Sequence, residues 1–153
     1  MNLFGMMEAS GSAMQAERVR AEVVAANMAN AETTRTATGG PYKRQMVVFA
    51  AGQGDPRFLD SLASASSLST APDARVANGV EVAGVVEDPA PPLRRYDPGH
   101  PDAGADGYVA YPDINPITEM VDLMGATRAY GLNGSAVQAE KGMISSALEI
   151  AKG

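Results

Sequence analysis

The distribution of proline is the feature of this sequence that most limits its fold. The chain has 153 residues and 10 prolines, and every proline lies between Pro41 and Pro116. Proline breaks the hydrogen-bond ladder of a helix and is excluded from the centre of a sheet. Long helices are therefore confined to the two ends of the chain, and the middle is expected to form short extended segments and turns.

The N-terminal segment has the periodicity of an α-helix. Six of eight positions reached by alternate steps of four and three residues are apolar. These positions are Leu3, Met7, Ser10, Met14, Glu17, Ala21, Val24 and Met28. We predict a helix over about 3–31, ending where the β-branched Thr33, Thr34 and Thr36 begin.

The C-terminal segment predicts a longer helix, with Asn115-Pro116 at its start and Glu119 in its first turn. The same stepping gives a line of positions in which only Lys141 is charged. The line is Met120, Leu123, Thr127, Tyr130, Gly134, Val137, Lys141, Ile144, Leu148 and Ala151. Four glycines in this segment weaken a helix by about 1 kcal/mol each relative to alanine, so the helix needs neighbours.

The middle of the chain predicts a small β region. Strand patterns cover 42–49, 80–86 and 107–111, and Asn78-Gly79 is a turn signal before the second of them. A Ser- and Ala-rich stretch at about 52–72 predicts a flexible loop. The expected fold is mainly α with a small, hairpin-based, Pro/Gly-rich β region at 33–113. The terminal segments 1–32 and 114–153 are expected to pair as an antiparallel coiled coil, forming one core.

Composition excludes most chemistries. The chain lacks cysteine, has one histidine and carries a net charge of −6, which argues against thiol chemistry and nucleic-acid binding. Leu, Ile, Val and Phe total only 28 residues, a small share for a self-sufficient core. No apolar run is long enough to span a bilayer, and the N-terminus, which contains Glu8, lacks the features of a cleaved secretory signal. We predict no enzyme activity, no cofactor and no metal.

Three groups of polar residues were candidates for function. His100, Asp102 and Asp106 partly match a calcium loop, but Gly104 and Asp113 occupy two ligand positions poorly, and a turn explains them better. The basic pairs Lys43-Arg44 and Arg94-Arg95 fit an acidic partner, although ordinary solvated charge is the favoured explanation. Asn27 and Asn30 fit helix capping and an interface equally well.

Two long, alanine-rich helices cannot form a self-sufficient core, so they must be buried against each other or against neighbouring subunits. This pattern predicts a structural assembly protein. The alternative is a soluble helical adaptor or export-chaperone-like module that presents the same helices to a client. An adaptor should be a stable monomer or dimer, whereas an assembly subunit should depend on its partners for order.

Several motifs, in order along nearly the whole chain, resemble those of the proximal-rod proteins of the bacterial flagellar basal body, the FlgC type. They are Ser10–Met14, Ala25–Thr34, Gly39–Tyr42, Val47–Phe49, His100–Ala103, Gly107–Val109, Glu119-Met120, Arg128–Tyr130 with Asn133, and Ala147–Ile150. Elements such as Arg-Ala-Tyr are shared across rod and hook proteins. The Thr-Thr-Arg-Thr, Gly-Gly-Pro-Tyr and His-Pro-Asp-Ala segments point to the proximal-rod type.

The resemblance implies a rod subunit that carries torque across the periplasm from motor to hook. It also implies export by the flagellar type III apparatus without a cleaved signal. The implied partners are copies of the chain, other rod proteins and the hook–basal-body adaptor protein. The residues expected at the assembly interface are Leu3, Met7, Met14, Val24, Asn27, Asn30, Met120, Leu123, Arg128, Tyr130, Asn133, Val137, Ile144 and Leu148.

Overall fold

The computed structural model describes residues 3–52 and 79–152, with side chains from residue 5 onward. In chain order the elements are helix α1 (Leu3–Ala29), strands β1 (Gln45–Ala51), β2 (Val80–Glu87), β3 (Leu93–Tyr96) and β4 (Tyr108–Tyr111), and helix α2 (Pro116–Lys152). The prediction of a mainly α chain with a small β region is confirmed. The flexible loop predicted at 52–72 lies almost entirely outside the described residues.

Helix α1 ends where side chains begin to compete for its carbonyl groups. The backbone nitrogen and the side-chain Nδ2 of Asn30 both donate to the Ala26 oxygen, at 3.1 and 2.9 Å. The Thr33 hydroxyl donates to Asn30 Oδ1 at 3.1 Å. Asn30 therefore acts at the end of the helix, in agreement with the capping explanation.

Helix α2 begins as the sequence predicts, with Pro116 as its first residue. The Ile117 nitrogen donates to Asn115 Oδ1 at 3.0 Å, and the Glu119 nitrogen donates to the Asn115 backbone oxygen at 3.1 Å. Asn115 is thus the N-cap, and proline occupies a position whose missing N–H has no intrahelical partner in any case.

The strands form two separate two-stranded sheets, β1 with β2 and β3 with β4. Hydrogen bonds at the two ends of the first pair, from Gly52 nitrogen to Gly79 oxygen at 3.0 Å and from Asp88 nitrogen to Arg44 oxygen at 2.8 Å, give it an antiparallel order. Pairs in the second sheet run from Leu93 with Tyr111 to Tyr96 with Tyr108, also antiparallel. The sequence analysis did not predict β3.

The chain divides into two compact units. The first consists of 1–17, 49–83 and 129–153. In it, the Val80 nitrogen donates to Ser12 Oγ of α1 at 3.1 Å. Gly79, with φ of 87°, allows this approach, because a Cβ at that position would lie 2.1 Å from Ser12 Oγ. The sulfur of Met14 lies 3.8 Å from the position that a Cβ of Gly134 would take, so the helices approach closely there.

The second unit consists of 18–48 and 84–128. Its described apolar core is small and is formed by Val24, Val109, Ile114 and Ala126. Arg20 of α1 contacts Asp122 of α2 at 3.3 Å, and Asn27 of α1 contacts Glu119 of α2 at 3.1 Å, so the two helices run antiparallel in this unit. The grouping of both termini into one coiled-coil core remains a prediction.

The three fully buried residues of α2 each directly precede a residue of the line that the sequence predicts, although other residues of that line are half-buried. Glu119, Ala126 and Glu140 are buried, whereas Met120, Thr127 and Lys141, which directly follow them, are exposed. The buried positions are seven residues apart or a multiple of seven, as in a heptad, but two of them are acidic. A search for apolar periodicity therefore selects their neighbours.

Candidate functional site

Asn27, near the C-terminal end of α1, is 1% exposed and forms four hydrogen bonds. Its Nδ2 donates to the Gln45 backbone oxygen at 2.8 Å and to Glu119 Oε2 at 3.1 Å. Its Oδ1 accepts from the Gln45 backbone nitrogen at 2.9 Å and from the Tyr42 hydroxyl at 3.2 Å. Both amide hydrogens and both acceptor positions are thus in use. Asn27 therefore joins α1, the start of β1 and the first turn of α2.

Glu119 is a buried carboxylate in the first turn of α2, also 1% exposed. Its Oε1 accepts from Arg44 Nε at 2.7 Å and its Oε2 from Asn27. A buried charge is tolerated when it is paired and hydrogen-bonded, and an acidic group near a helix N-terminus is further favoured by the helix dipole. We call Asn27, Tyr42, Arg44, Gln45 and Glu119 the Asn27 cluster.

Arg44 is the cation of the Asn27 cluster and faces three carboxylates. Besides Glu119, its guanidinium lies 3.9 Å from Asp88 and 3.8 Å from Asp122. Asp122 also accepts from Arg20 at 3.3 Å. Only a quarter of the Arg44 side chain is exposed, so these contacts are less screened than surface ion pairs. The cluster is therefore a structural junction of α1, β1 and α2.

The same charges act on Tyr42. Burial raises the pKa of the Tyr42 hydroxyl above its usual value, and the negative charges of Glu119 and Glu87 raise it further. The phenol therefore stays protonated and continues to donate to Asn27 well into the alkaline range.

The His-Pro-Asp-Ala segment attaches the loop before β4 to the segment that follows α1. Asp102 Oδ2 accepts from the Thr34 hydroxyl at 2.8 Å, and Asp102 Oδ1 lies 3.8 Å from the Arg35 guanidinium. The Asp102 nitrogen donates to His100 Nδ1 at 3.1 Å, and the His100 ring packs edge-on against Tyr111. The threonine and the His-Pro-Asp motifs are thus two sides of one contact.

Asp106 takes a separate part in the loop between β3 and β4. It accepts from the Tyr108 backbone nitrogen and pairs with Arg94. These contacts, the Tyr108 N–H first, hold the pKa of the Asp106 carboxyl below its usual value. The carboxylates of Asp102 and Asp106 therefore bind different protein groups, as the turn interpretation predicts.

The surface of α2 in the second unit carries a stripe of three apolar residues and one arginine on the side opposite its buried residues. Ile117, Val121, Met124 and Arg128 follow one another at intervals of four, three and four residues, which aligns them on a helix of 3.6 residues per turn. All four are exposed, Ile117 to 73%, while Glu119 and Ala126 face inward. We call these four residues the outer stripe. A helix on a soluble surface normally directs polar residues outward, so the exposed apolar side chains of the outer stripe are unusual for such a surface.

The part of α2 in the first unit has a similar pattern. Leu132, Met143 and Ile150 are exposed, Ile150 to 82%, and are separated by eleven and seven residues, which again aligns them. Val137 and Ile144 of the same helix are half-buried. In this unit too, the described residues leave large apolar side chains of α2 exposed.

Two family profiles match the chain. One, described as flagella basal body rod protein, covers residues 7–35, and the other, described as flagellar basal body rod FlgEFG protein C-terminal, covers residues 105–150. The chain is also similar to three curated proteins, each named flagellar basal-body rod protein FlgC. The protein from Borreliella burgdorferi is 36% identical over 100% of both chains, and that from Bacillus subtilis is 41% identical over 99% of this chain and 100% of the relative. The protein from Escherichia coli O6:H1 is 35% identical over 94% of each.

The chain belongs to the FlgC family of flagellar basal-body rod proteins. As a FlgC-family protein it is a structural subunit of the flagellar basal-body rod and not an enzyme. Family membership implies assembly with other flagellar rod components. It also removes the support for the adaptor alternative. Within the described residues, neither helix is long and apolar enough to cross a membrane.

The interface residues expected from the FlgC resemblance fall into two groups. Those that the fold buries or half-buries are Met7, Met14, Val24, Asn27, Asn30, Leu123, Asn133, Val137 and Ile144. Those that are exposed are Met120, Arg128, Tyr130 and Leu148. The side chain of Leu3 lies outside the described residues. Their role in assembly remains a prediction, but only the exposed group is directly accessible to another subunit of the rod.

Sequence reasoning missed Glu119 and Arg44 as structural partners in this FlgC-family chain. Glu119 was assigned only to the helix dipole, and Arg44 was interpreted mainly as solvated charge. Residue type alone gives no indication that residues 44 and 119 meet, because the contact joins the residue before β1 to α2. The only available signal was that Glu119 lies one residue before the predicted apolar line.

Proposed function

We propose that this FlgC-family subunit polymerises through the outward sides of its terminal helices, with the helices paired as an antiparallel coiled coil. In this proposal the Asn27 cluster fixes the helices in register and the outer stripe contacts the helices of neighbouring subunits. The observation that carries the proposal is the outer stripe itself. An apolar line opposite a helix's own buried side is stable in water only when another surface covers it.

A rod built in this way transmits torque, because twisting one subunit against the next displaces packed side chains at close-packed density. We propose that it carries torque from motor to hook across the periplasm, and that its neighbours are copies of itself, other rod proteins and the hook–basal-body adaptor protein. We further propose export through the flagellar type III apparatus without a cleaved signal. The family relationship supports these assignments.

The test is to place a charge in the outer stripe. Val121→Asp and Met124→Asp should leave the fold and the cellular level unchanged, because both residues are exposed, but should abolish rod incorporation and motility. A carboxylate buried in an apolar helix contact costs several kcal/mol. Thr118→Asp is the matched control, because Thr118 is exposed on the same helix but outside the outer stripe.

Leu123→Asp and Val137→Asp separate folding from assembly. Both positions are half-buried within the chain, so these variants should lose helix content before any assembly step. Rod incorporation is measured by immunoblotting of purified basal bodies, and folding by circular dichroism of the purified chain. Motile cells with normal levels of Val121→Asp and Met124→Asp protein would refute the role of the outer stripe.

A further inference from the structure

Among the described residues, strand β3 pairs with β4 alone, so its other edge has no partner strand there. The Asp97 nitrogen donates to the Gly107 oxygen at 3.0 Å, which places this pair in the hydrogen-bonded position of the β3–β4 ladder. Because backbone direction alternates along a strand, the N–H and C=O groups of Arg94 and Tyr96 point away from β4. All four residues of β3 are exposed, Tyr96 to 68%, and no other described residue forms a backbone hydrogen bond with Arg94 or Tyr96.

The β3 edge is held in a fixed conformation. The Tyr96 and Tyr108 rings pack edge to face with centroids 5.3 Å apart, and the Arg94 guanidinium lies 5.1 Å from the centre of the Tyr108 ring. Gly107, with φ of 75°, lets the Tyr96 ring lie against its backbone, since a Cβ there would approach the ring to 2.7 Å. Arginine and tyrosine are enriched where protein interfaces concentrate their binding energy.

The C-terminal half of β2 has an edge whose acidic surroundings complement the arginines of β3. The Asp88 nitrogen donates to the Arg44 oxygen, and the backbone of the next residue, Gln45, faces Asn27 rather than β2. By the same alternation, Glu87, the residue before Asp88, directs its N–H and C=O groups away from β1. The Gly52–Gly79 and Asp88–Arg44 bonds differ by one residue in register, so β2 contains one extra residue between them. The side chains of Glu87 and Val85 are both exposed. From residue 80 to residue 92 the chain has three acidic residues and no basic one.

We propose that the free edge of β3 pairs with the outer edge of β2 from a second copy of the chain. The pairing is antiparallel, with Arg94 opposite Glu87 and Tyr96 opposite Val85. The backbone groups of Arg94, Tyr96 and Glu87 already point outward. Those of Val85 do so in this pairing, which places the extra residue of β2 at Gly84, since a glycine within a strand is typical of a bulge, and four N–H···O bonds then form. The side-chain pairs are one of opposite charge and one aromatic with β-branched, two combinations that stabilise neighbouring strands.

The existing partners of the two charged residues do not prevent this contact. Glu87 pairs with Lys43 at 3.1 Å, and Arg94 pairs with Asp106, but in both pairs each side chain is more than half exposed. Exposed ion pairs contribute little, so exchanging or sharing them changes the free energy slightly. Both edges lie in the second unit, and each copy carries one of each. The contact is therefore head-to-tail and generates a chain of subunits rather than a closed two-fold dimer.

The first experiment uses the absence of native cysteine. Full-length chains carrying Val85→Cys and Tyr96→Cys are mixed, one with a size tag, and oxidised. Paired strands place these residues about 5.5 Å apart at Cα, within the range of a disulfide. A hybrid dimer should form. Val85→Cys mixed with Arg94→Cys is the control, because these positions are two residues out of register. Equal yields from the two mixtures would overturn the proposal.

The second experiment tests the charge pair by sedimentation velocity of the full-length chain over a concentration series. Glu87→Arg and Arg94→Glu should each weaken association by about tenfold, because each puts like charges opposite one another. The double variant, which reverses the pair in every contact, should recover most of the loss. A double variant no better than the single variants, or wild-type protein that stays monomeric throughout, would contradict the proposal.

This inference deepens the proposed function, because it names a second contact between copies, and its failure is distinguishable from failure of the outer stripe. A Val121→Asp chain that also carries the cysteines should still form the in-register disulfide. If it does and the cells carrying Val121→Asp are motile, the outer stripe is refuted and the strand pairing stands. If Val121→Asp abolishes motility but no in-register disulfide forms, the strand pairing is refuted alone.

Discussion

Replacing Asn27 by alanine should destabilise the junction of α1, β1 and α2 by about 3 kcal/mol. The change removes three hydrogen bonds to uncharged groups, worth about 1 kcal/mol each, and one to the buried Glu119 carboxylate, worth about 2 kcal/mol. Alanine recovers about 0.5 kcal/mol through its higher helix propensity. These contributions leave about 4.5 kcal/mol. Water can reach the half-buried Gln45 backbone and replace most of its two bonds, about 1.5 kcal/mol, so about 3 kcal/mol remains.

Native-state hydrogen exchange measures this loss locally. A destabilisation of about 3 kcal/mol lowers the protection of the slowest amides in residues 18–29 by roughly 100-fold. Asn133→Ala is the control, because within residues 5–52 and 79–152 the Asn133 amide donates only to the Ala129 oxygen of its own helix, at 2.9 Å. That change should stay within about 0.5 kcal/mol of wild type. Equal losses for Asn27→Ala and Asn133→Ala would refute the assignment of the Asn27 cluster as a junction.

Three further predictions concern titrating and loop residues. The difference in tyrosinate absorbance between wild type and Tyr42→Phe should have its midpoint above about pH 10, because the folded-state pKa of Tyr42 is raised. The stability that Tyr42 contributes is present below pH 10 and is lost as pH rises through the folded-state pKa. NMR titration should find the Asp106 carboxyl pKa below about 3.9. The stability that Asp106 contributes is present above this value and is lost as pH falls through the folded-state pKa, so the acid side of the stability–pH curve should be flatter in Asp106→Asn. His100→Ala should cost about 1 kcal/mol in thermal unfolding, for the lost Asp102 N–H bond, and leave cells motile; non-motile cells with normal protein levels would contradict the turn interpretation.

The sequence predicts those parts of the fold that local rules control. Confinement of proline to 41–116 places both helices at the ends, and Asn115-Pro116 marks the start of α2 correctly. Strand β3 was missed because Leu93–Tyr96 contains two arginines and no alternation of apolar residues. What stabilises it is non-local: Arg94 lies over Tyr108, and Arg95 over Tyr111, on the partner strand. Such contacts depend on the pairing register, which composition does not encode.

The residues expected at the assembly interface show the same division between what local rules predict and what only the fold reveals. Motif resemblance identified Arg128, which lies in the outer stripe, and Asn27, which is the centre of the junction, but it did not distinguish their environments. Both lie on helices and both belong to motifs of the family. Only the fold shows that one side chain is exposed and the other is 1% exposed. Exposure depends on the rotation of each helix about its axis, and in α2 the acidic residues of the buried side obscure that rotation.

Buried Glu119 gives the helices a register that their apolar residues alone cannot. Alanine and valine fill most of the described core, and small apolar side chains pack almost equally well after a shift of one helical turn. Moving α2 by one turn, about 5.4 Å, would separate Glu119 from both Arg44 and Asn27. The carboxylate would then be buried and unpaired, at a cost of several kcal/mol, which exceeds any difference in alanine packing. A single polar group specifies register in coiled coils at some expense of stability, and the Asn27 cluster acts in the same way. Because the outer stripe lies on the opposite side of the same helical turns, fixing Glu119 also fixes which apolar side chains of α2 are exposed.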